Sequence, residues 1–283
     1  MLIYKKNKNR SKYTFANINM LGTCNIDCFF CLGKDLPEHF QKHNCLPLGF
    51  DEWPNLAEYI DMCQRYNIKR VYITGQNTDP LVYDHFAGLV EFLKDLGFFV
   101  GIRTNGVLAV ANMNAINKID SVGYSIFTLD GKVQRAITKS DYIPHWDYIF
   151  NNTKIRQRAS IVVCEQNVGE IFDLLKFLSN YPLKYIQLRR ISTDTRMDEM
   201  RPHIECFENL AKYIGSNFKH VSEHEKAPIY DIYGKDVVLW RTVETTANSL
   251  NYFTDGTISE EYFIIEGYLK NFSKGKVLVT GGQ

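Results

Sequence analysis

The sequence has almost no charge imbalance: 33 Lys and Arg stand against 32 Asp and Glu, a net charge of +1. It therefore lacks the global basic field that would draw nucleic acid and the acidic excess that would draw a basic partner. No run approaches the ~18 uninterrupted apolar residues of a membrane-spanning helix, so no membrane segment is expected. Residues 1–13 are basic but no apolar run follows them, which is not the layout of a secretory signal. Repeats and low-complexity tracts are absent. A disulfide framework is also missing, because the 7 cysteines are odd in number and four of them, Cys45, Cys63, Cys164 and Cys206, are scattered. Thiols kept reduced imply a reducing compartment. These absences together predict a cytoplasmic protein with no membrane partner.

What is present is an ordinary globular composition, 45% hydrophobic and 23% charged over 283 residues. Such a chain can bury a large core as one α/β domain, or as a domain with an extension. The run Lys5, Lys6, Lys8, Arg10 and Lys12 reads as a solvated terminus, with a nucleic-acid arm as the other reading.

Apolar spacing alternates between two periods. Ala16 to Met20, Arg70 to Ile73, Phe99 to Arg103, Val122 to Ile126, Ser160 to Val163 and Tyr185 to Leu188 read as strands. Leu56, Tyr59, Ile60 and Cys63 recur at helical spacing, and so do Phe86, Leu89, Val90 and Leu93, with Gly97 just past that helix. Ile171, Leu174, Leu175 and Leu178 make another helix face, and Phe207, Leu210, Ala211 and Ile214 a further one. Asn112 to Ile119 and Asp141 to Asn151 read as shorter helical pieces. Strand–helix units alternating about six times imply parallel strands with helical crossovers, fewer than the eight of a closed barrel. The expected architecture is α/β, a partial (βα)6 TIM-like barrel over residues 15–218. Residues 1–14 form a basic N-terminal segment. Residues 219–283 read as a small C-terminal β-rich extension capping the barrel mouth, with hairpins around Gly234 and Asp255-Gly256. A plain extension of the sheet is the alternative for that region.

Chemistry is concentrated in Cys24-Asn-Ile-Asp-Cys28-Phe-Phe-Cys31. Three soft thiolates in one short loop suit an iron–sulfur cluster or zinc. On a four-iron cluster, three cysteines leave one iron without a protein ligand. A structural zinc wants four ligands, and His39, His43 or Cys45 is available as the fourth.

The C-x3-C-x2-C spacing, with an aromatic before the last Cys, resembles the signature of the radical S-adenosylmethionine (radical SAM) superfamily. Further motifs follow successive strands in the same order. Gly75, Gln76 and Asn77, within Tyr72-Ile-Thr-Gly-Gln-Asn-Thr-Asp-Pro80, stand where members carry a Gly-Gly-Glu-Pro-like motif. The glutamate is missing here. Arg103-Thr-Asn-Gly106 resembles the Thr-Asn-Gly of many members. The resemblance covers roughly residues 15–195. Its pattern is similar to that of the subgroup including the molybdopterin-precursor cyclase and peptide-modifying maturases. No cysteine follows Cys206, so the C-terminal auxiliary clusters of that subgroup are not expected.

The resemblance implies that Cys24, Cys28 and Cys31 hold a [4Fe–4S] cluster whose open iron binds SAM. It implies SAM contacts from Phe30, Gly75, Gln76, Asn77, Asn105, Ser125, Gln187 and Arg189. It makes Asn167 a weaker candidate. Reductive cleavage of SAM, fed by a flavodoxin- or ferredoxin-like donor, would yield a 5′-deoxyadenosyl radical that takes hydrogen from a peptide or small metabolite. Other readings are a glycyl-radical-enzyme activase, a nucleotide- or RNA-modifying enzyme, which the neutral charge disfavours for RNA, and a zinc-binding module. For a turn such as 74–77 or 104–106, or for Ser125, a purely structural role also stays open at this point.

Overall fold

The structure is a computed structural model that describes residues 12–36, 44–193, 195–224, 226–241 and 248–261. The alternation read from the sequence is present. Strands β1 (Phe15–Met20), β2 (Arg70–Gly75), β3 (Phe99–Thr104), β4 (Ser121–Ser125), β5 (Arg156–Val162) and β6 (Ile186–Arg189) each pair in parallel with the next. Parallel neighbours need crossovers. These contain helices α1 (Leu56–Arg65), α2 (Phe86–Asp95), α3 (Met113–Ile116), α4 (Gly131–Thr138), α5 (Trp146–Asn152) and α6 (Ile171–Ser179), with α7 (Met197–Asn217) following β6.

The helix faces expected from spacing are the buried ones. Leu56, Tyr59, Ile60 and Cys63 on α1, and Phe86, Leu89, Val90 and Leu93 on α2, are buried in the main core. They share it with alternate strand residues such as Val71 and Ile73, Val100 and Ile102, and Ala159 and Ile161. The other set of alternate positions lines the concave side of the sheet. One helix is missed by periodicity. Asp130 Oδ1 accepts hydrogen bonds from the backbone N–H groups of Lys132 and Val133 at 2.8 and 3.0 Å. This is an N-cap, and α4 begins there.

The strands after residue 219 extend the same sheet at its two sides, the plain extension given above as the alternative to a cap. Strands β7 (Lys219–His224), β8 (Ala227–Ile232), β9 (Lys235–Trp240), β10 (Ser249–Phe253) and β11 (Ile258–Ser259) complete the order β11-β10-β1-β2-β3-β4-β5-β6-β9-β8-β7. β9 runs parallel to β6 and β10 parallel to β1, so the parallel part is wider by one strand at each side than six units provide. Antiparallel pairs β8–β9 and β10–β11 follow outward. The β8–β9 turn has Tyr233 and Gly234 both at positive φ, 57° and 74°, as a tight hairpin requires. Among the described residues no helix is long and apolar enough to cross a membrane.

Candidate active site

The three cysteines lie on the loop after β1, at the C-terminal end of the parallel strands. Three independent contacts fix that loop. Its backbone N–H groups at Asp27 and Phe29 donate to the carbonyls of Thr138 and Ile137 at the end of α4. Phe29 and Phe30 pack into a small second core with Phe127, Ile137 and Met200. The guanidinium of Arg196, just before α7, donates from Nη1 to Phe29 O (2.7 Å), from Nη2 to Cys31 O (2.9 Å) and from Nε to Asp35 Oδ1 (2.5 Å). Only 16% of the Arg196 side chain and 9% of that of Asp35 is exposed, so this ion pair is shielded from water. Sequence reasoning missed Arg196, since nothing in its neighbourhood marks a residue that reaches back to position 31.

The turn after β2 packs against the same loop. Asn77 Oδ1 accepts from Gly22 N at 3.0 Å, and Thr78 Oγ1 donates to Thr23 O at 2.9 Å. A Cβ on Gly33 would stand 2.8 Å from Asn77 Cα, so the helical turn after Cys31 (Leu32–Asp35) closes directly on this motif. Gly75 is required sterically: a Cβ there would be 1.8 Å from the carbonyl oxygen of Thr78. Gln76 is buried and donates to Asn19 Oδ1 on β1 at 3.2 Å.

Asp79 connects this turn to the next strand end. It is buried and accepts from Thr104 Oγ1 (2.9 Å), Asn105 N (2.6 Å) and Leu81 N (2.9 Å). Burial pushes its carboxyl up to about 6 despite these three donors. Asn105 is thereby set beside the cysteine loop, its Nδ2 2.8 Å from Asn25 Oδ1 and 3.8 Å from Cys24 Sγ.

The remaining sequence-predicted residues lie deeper along the strands. Ser125 pairs across to Ser160, which pairs to Gln187. Gln187 Oε1 accepts from Arg158 Nη1 at 3.1 Å and from Ser160 Oγ at 3.5 Å. Arg189 lines a cavity of about 670 Å3 on the concave side of the sheet; none of the three cysteines does. Asn167 is fully buried and its amide serves the backbone of Phe127, Val162 and Cys164, which gives it a structural role.

The donor set fits a thiolate-held cluster. All three cysteines are half-buried residues, and the Cys28 thiol is raised mainly by burial, then by the charges of Cys31 and Cys24. Cys24 is pushed up to about 12, again mainly by burial. Three such thiols ionise together only beside compensating positive charge, and a bound metal supplies it. Among the described residues Asn19 Nδ2, buried beside Gln76 on the strand that leads into the cysteine loop, has no hydrogen-bond partner, which leaves a donor for a bound group. Among the described residues no three His, Cys, Asp or Glu side chains converge on a single ion. His39 and His43, the alternative zinc ligands, lie outside the described residues.

The family model described as the Radical SAM superfamily matches residues 18–178, more than half of the chain. The sequence is 25% identical over 200 residues to a GTP 3′,8-cyclase of Clostridium perfringens, covering 66% of this chain and 58% of that protein. It is 26% identical over 170 residues to an S-adenosylmethionine-dependent nucleotide dehydratase of Selenomonas ruminantium, covering 55% and 58%. The chain thus spans under two thirds of the length of these relatives. Streptococcus suis SuiB, solved with S-adenosylmethionine bound, shares the fold with a TM-score of 0.58 at 13% identity, over 88% of this chain and 61% of that one.

Proposed function

Starting from a chain that belongs to the radical SAM superfamily, we propose that Cys24, Cys28 and Cys31 hold the cluster and that the enzyme abstracts hydrogen from a small-molecule or peptide substrate seated in the barrel. Enzymes of this family use a [4Fe–4S] cluster and SAM, which together supply a 5′-deoxyadenosyl radical. The observation that carries the residue assignment is the loop itself. Three thiols sit at the C-terminal end of a parallel sheet, where α/β folds place their chemistry, and the loop is clamped by Arg196 and by the 75–77 turn.

The chain's own groups then have distinct tasks. Gly75 brings backbone close to the methionine part of SAM, and Asn77 braces the entry to the cysteine loop. Asn105, aimed by Asp79, and Ser125 and Arg189 at their strand ends offer contacts to ribose and carboxylate. Phe30 positions its backbone for adenine. Gln187, turned toward Arg158, acts below that layer. The curved sheet excludes water and fixes the target carbon. An external flavodoxin- or ferredoxin-like donor provides the electron. Anaerobically reconstituted protein given SAM and dithionite should form 5′-deoxyadenosine, and Cys28→Ala should abolish it. Equal SAM cleavage by that variant would refute the cluster assignment; zinc in place of iron and sulfide would refute the function.

A further inference from the structure

Two asparagines on β1 carry polar atoms that no contact in the fold uses. Ala16, Ile18 and Met20 pack in the main core with the helices, so Asn17 and Asn19 face the concave side. Both are fully buried, at 0% exposure. Asn17 donates from Nδ2 to Asn251 Oδ1 on β10 at 2.7 Å. Asn251 in turn donates from its own Nδ2 to Ser249 Oγ at 3.0 Å and to Ser249 O at 3.4 Å. That chain fixes which atom is which: the Asn251 oxygen faces Asn17 and must meet an N–H, so Asn17 is left with its oxygen. On Asn19 the oxygen is taken by Gln76 Nε2 at 3.2 Å, which leaves the amide nitrogen. Among the described residues Asn17 Oδ1 and Asn19 Nδ2 have no hydrogen-bond partner. The other buried side-chain atoms in that condition, on Trp53, Gln157, Glu170 and Arg190, belong to other elements. Buried polar atoms are nearly always paired. Two orphans of opposite hydrogen-bonding sense, at successive positions of one strand face, make a two-point template.

Chemistry sets what fits between them. A carboxylate or a phosphate accepts from Asn19 but opposes oxygen to oxygen at Asn17. An ammonium group donates to Asn17 and has no acceptor to offer Asn19. An amide, CO–NH, carries both halves without charge, and a site closed to water favours a neutral group. Positions 17 and 19 lie about 7 Å apart at the usual rise of a strand. Two hydrogen bonds of about 2.9 Å with one amide between them cover that span. Location agrees. Phe15 and Tyr72, the neighbours of Asn17 along β1 and across on β2, line the concave cavity. Asn19 is held by Gln76, in the turn that packs on the cysteine loop. The pair thus lies between that cavity and the thiols.

We propose that Asn17 and Asn19 together bind an uncharged amide group of the substrate, Asn17 accepting from its N–H and Asn19 donating to its carbonyl. The inference rests on the radical SAM reading for calling this molecule a substrate. Peptide bonds and the cyclic amides of nucleobases share this group.

The test is a ligand-observed NMR titration of the cluster-loaded full chain, anaerobic and with SAM present to fill its own site. The probes are N-acetylalaninamide, a peptide-type amide, and inosine, a cyclic one; purine riboside is inosine without the CO–NH edge. The parent should bind at least one of the two amides with a Kd of about 1 mM or tighter. Where inosine binds, purine riboside should bind about tenfold more weakly or worse, because it leaves both orphans unpaired. Asn17→Leu, similar in shape, should weaken amide binding about tenfold or more. Asn19→Asp keeps the bond from Gln76 but turns the free donor into an acceptor, with the same expected loss. Asn251→Ala keeps Asn17 but releases its orientation, and decides should Asn17→Leu fail to fold. Asn180→Ala, at the exposed end of α6, should bind as the parent does. Tighter binding of N-acetylalaninamide assigns a peptide-like substrate, and tighter binding of inosine a nucleobase-like one. The proposal is overturned if the parent binds neither amide, if purine riboside binds as well as inosine, or if both β1 variants bind as the parent does. Failure of the radical SAM reading shows separately, as absence of 5′-deoxyadenosine from the parent with SAM and dithionite.

Discussion

Replacing Arg196 by alanine tests whether the cysteine loop is held by tertiary contacts rather than by its own sequence. The side chain makes three charge-assisted hydrogen bonds, two to carbonyls of the loop and one to Asp35. With 16% and 9% of the two side chains exposed, water replaces little of what is lost. Hydrogen bonds to charged groups are each worth about 1.5–3 kcal/mol. Breaking one side of a shielded ion pair costs about 3–5 kcal/mol, because the remaining charge stays buried. Arg196→Ala should therefore destabilise the metal-free protein by about 3–5 kcal/mol in urea denaturation. Arg196→Lys, which keeps the charge but cannot reach three acceptors with a planar fork, should lose a good part of this. The double variant with Asp35→Ala should lose less than the two singles add up to, a coupling of about 1–3 kcal/mol. Iron and sulfide bound after anaerobic reconstitution should fall in Arg196→Ala at a temperature where the chain is still folded. If that variant unfolds at the parent's urea midpoint and binds as much iron, the loop does not depend on this clamp and the reasoning fails.

Asp79 gives a pH prediction. Its folded pKa, about 6, lies above the ordinary carboxylate value, so the folded chain binds the proton more tightly than the unfolded chain. The stability it contributes is present below about pH 4 and is lost as pH rises through about 6, to a total of about 3 kcal/mol; Asp79→Asn should flatten that part of the urea-midpoint profile. Gly75→Ala cannot be accommodated beside the Thr78 carbonyl and should cost at least about 2 kcal/mol by backbone displacement, with SAM affinity measured by calorimetry falling with it. Asp130→Ala removes the cap of α4 and should lower stability by about 1 kcal/mol, with urea denaturation as the check.

The alternating sheet, the faces of α1, α2, α6 and α7 and the cysteine loop were legible because each rests on local order. Side chains spaced by 2 or by 3.6 residues declare which face must leave water, and three thiols within one short loop need no distant partner to be recognised. The same is true of the hairpin at Gly234, where positive φ demands its residue type. Asp130 was less legible, because capping and turn signals use the same residues.

What tertiary structure alone decided is which distant groups meet. Arg196 reaches Cys31, Asp79 reaches Asn105, and β9 and β10 take opposite edges of one sheet. Asn17 meets Asn251 only because strand register sets the two opposite each other. The chain's local pattern specifies elements, while hydrogen-bonded register and the burial of charge among far-separated residues specify the site.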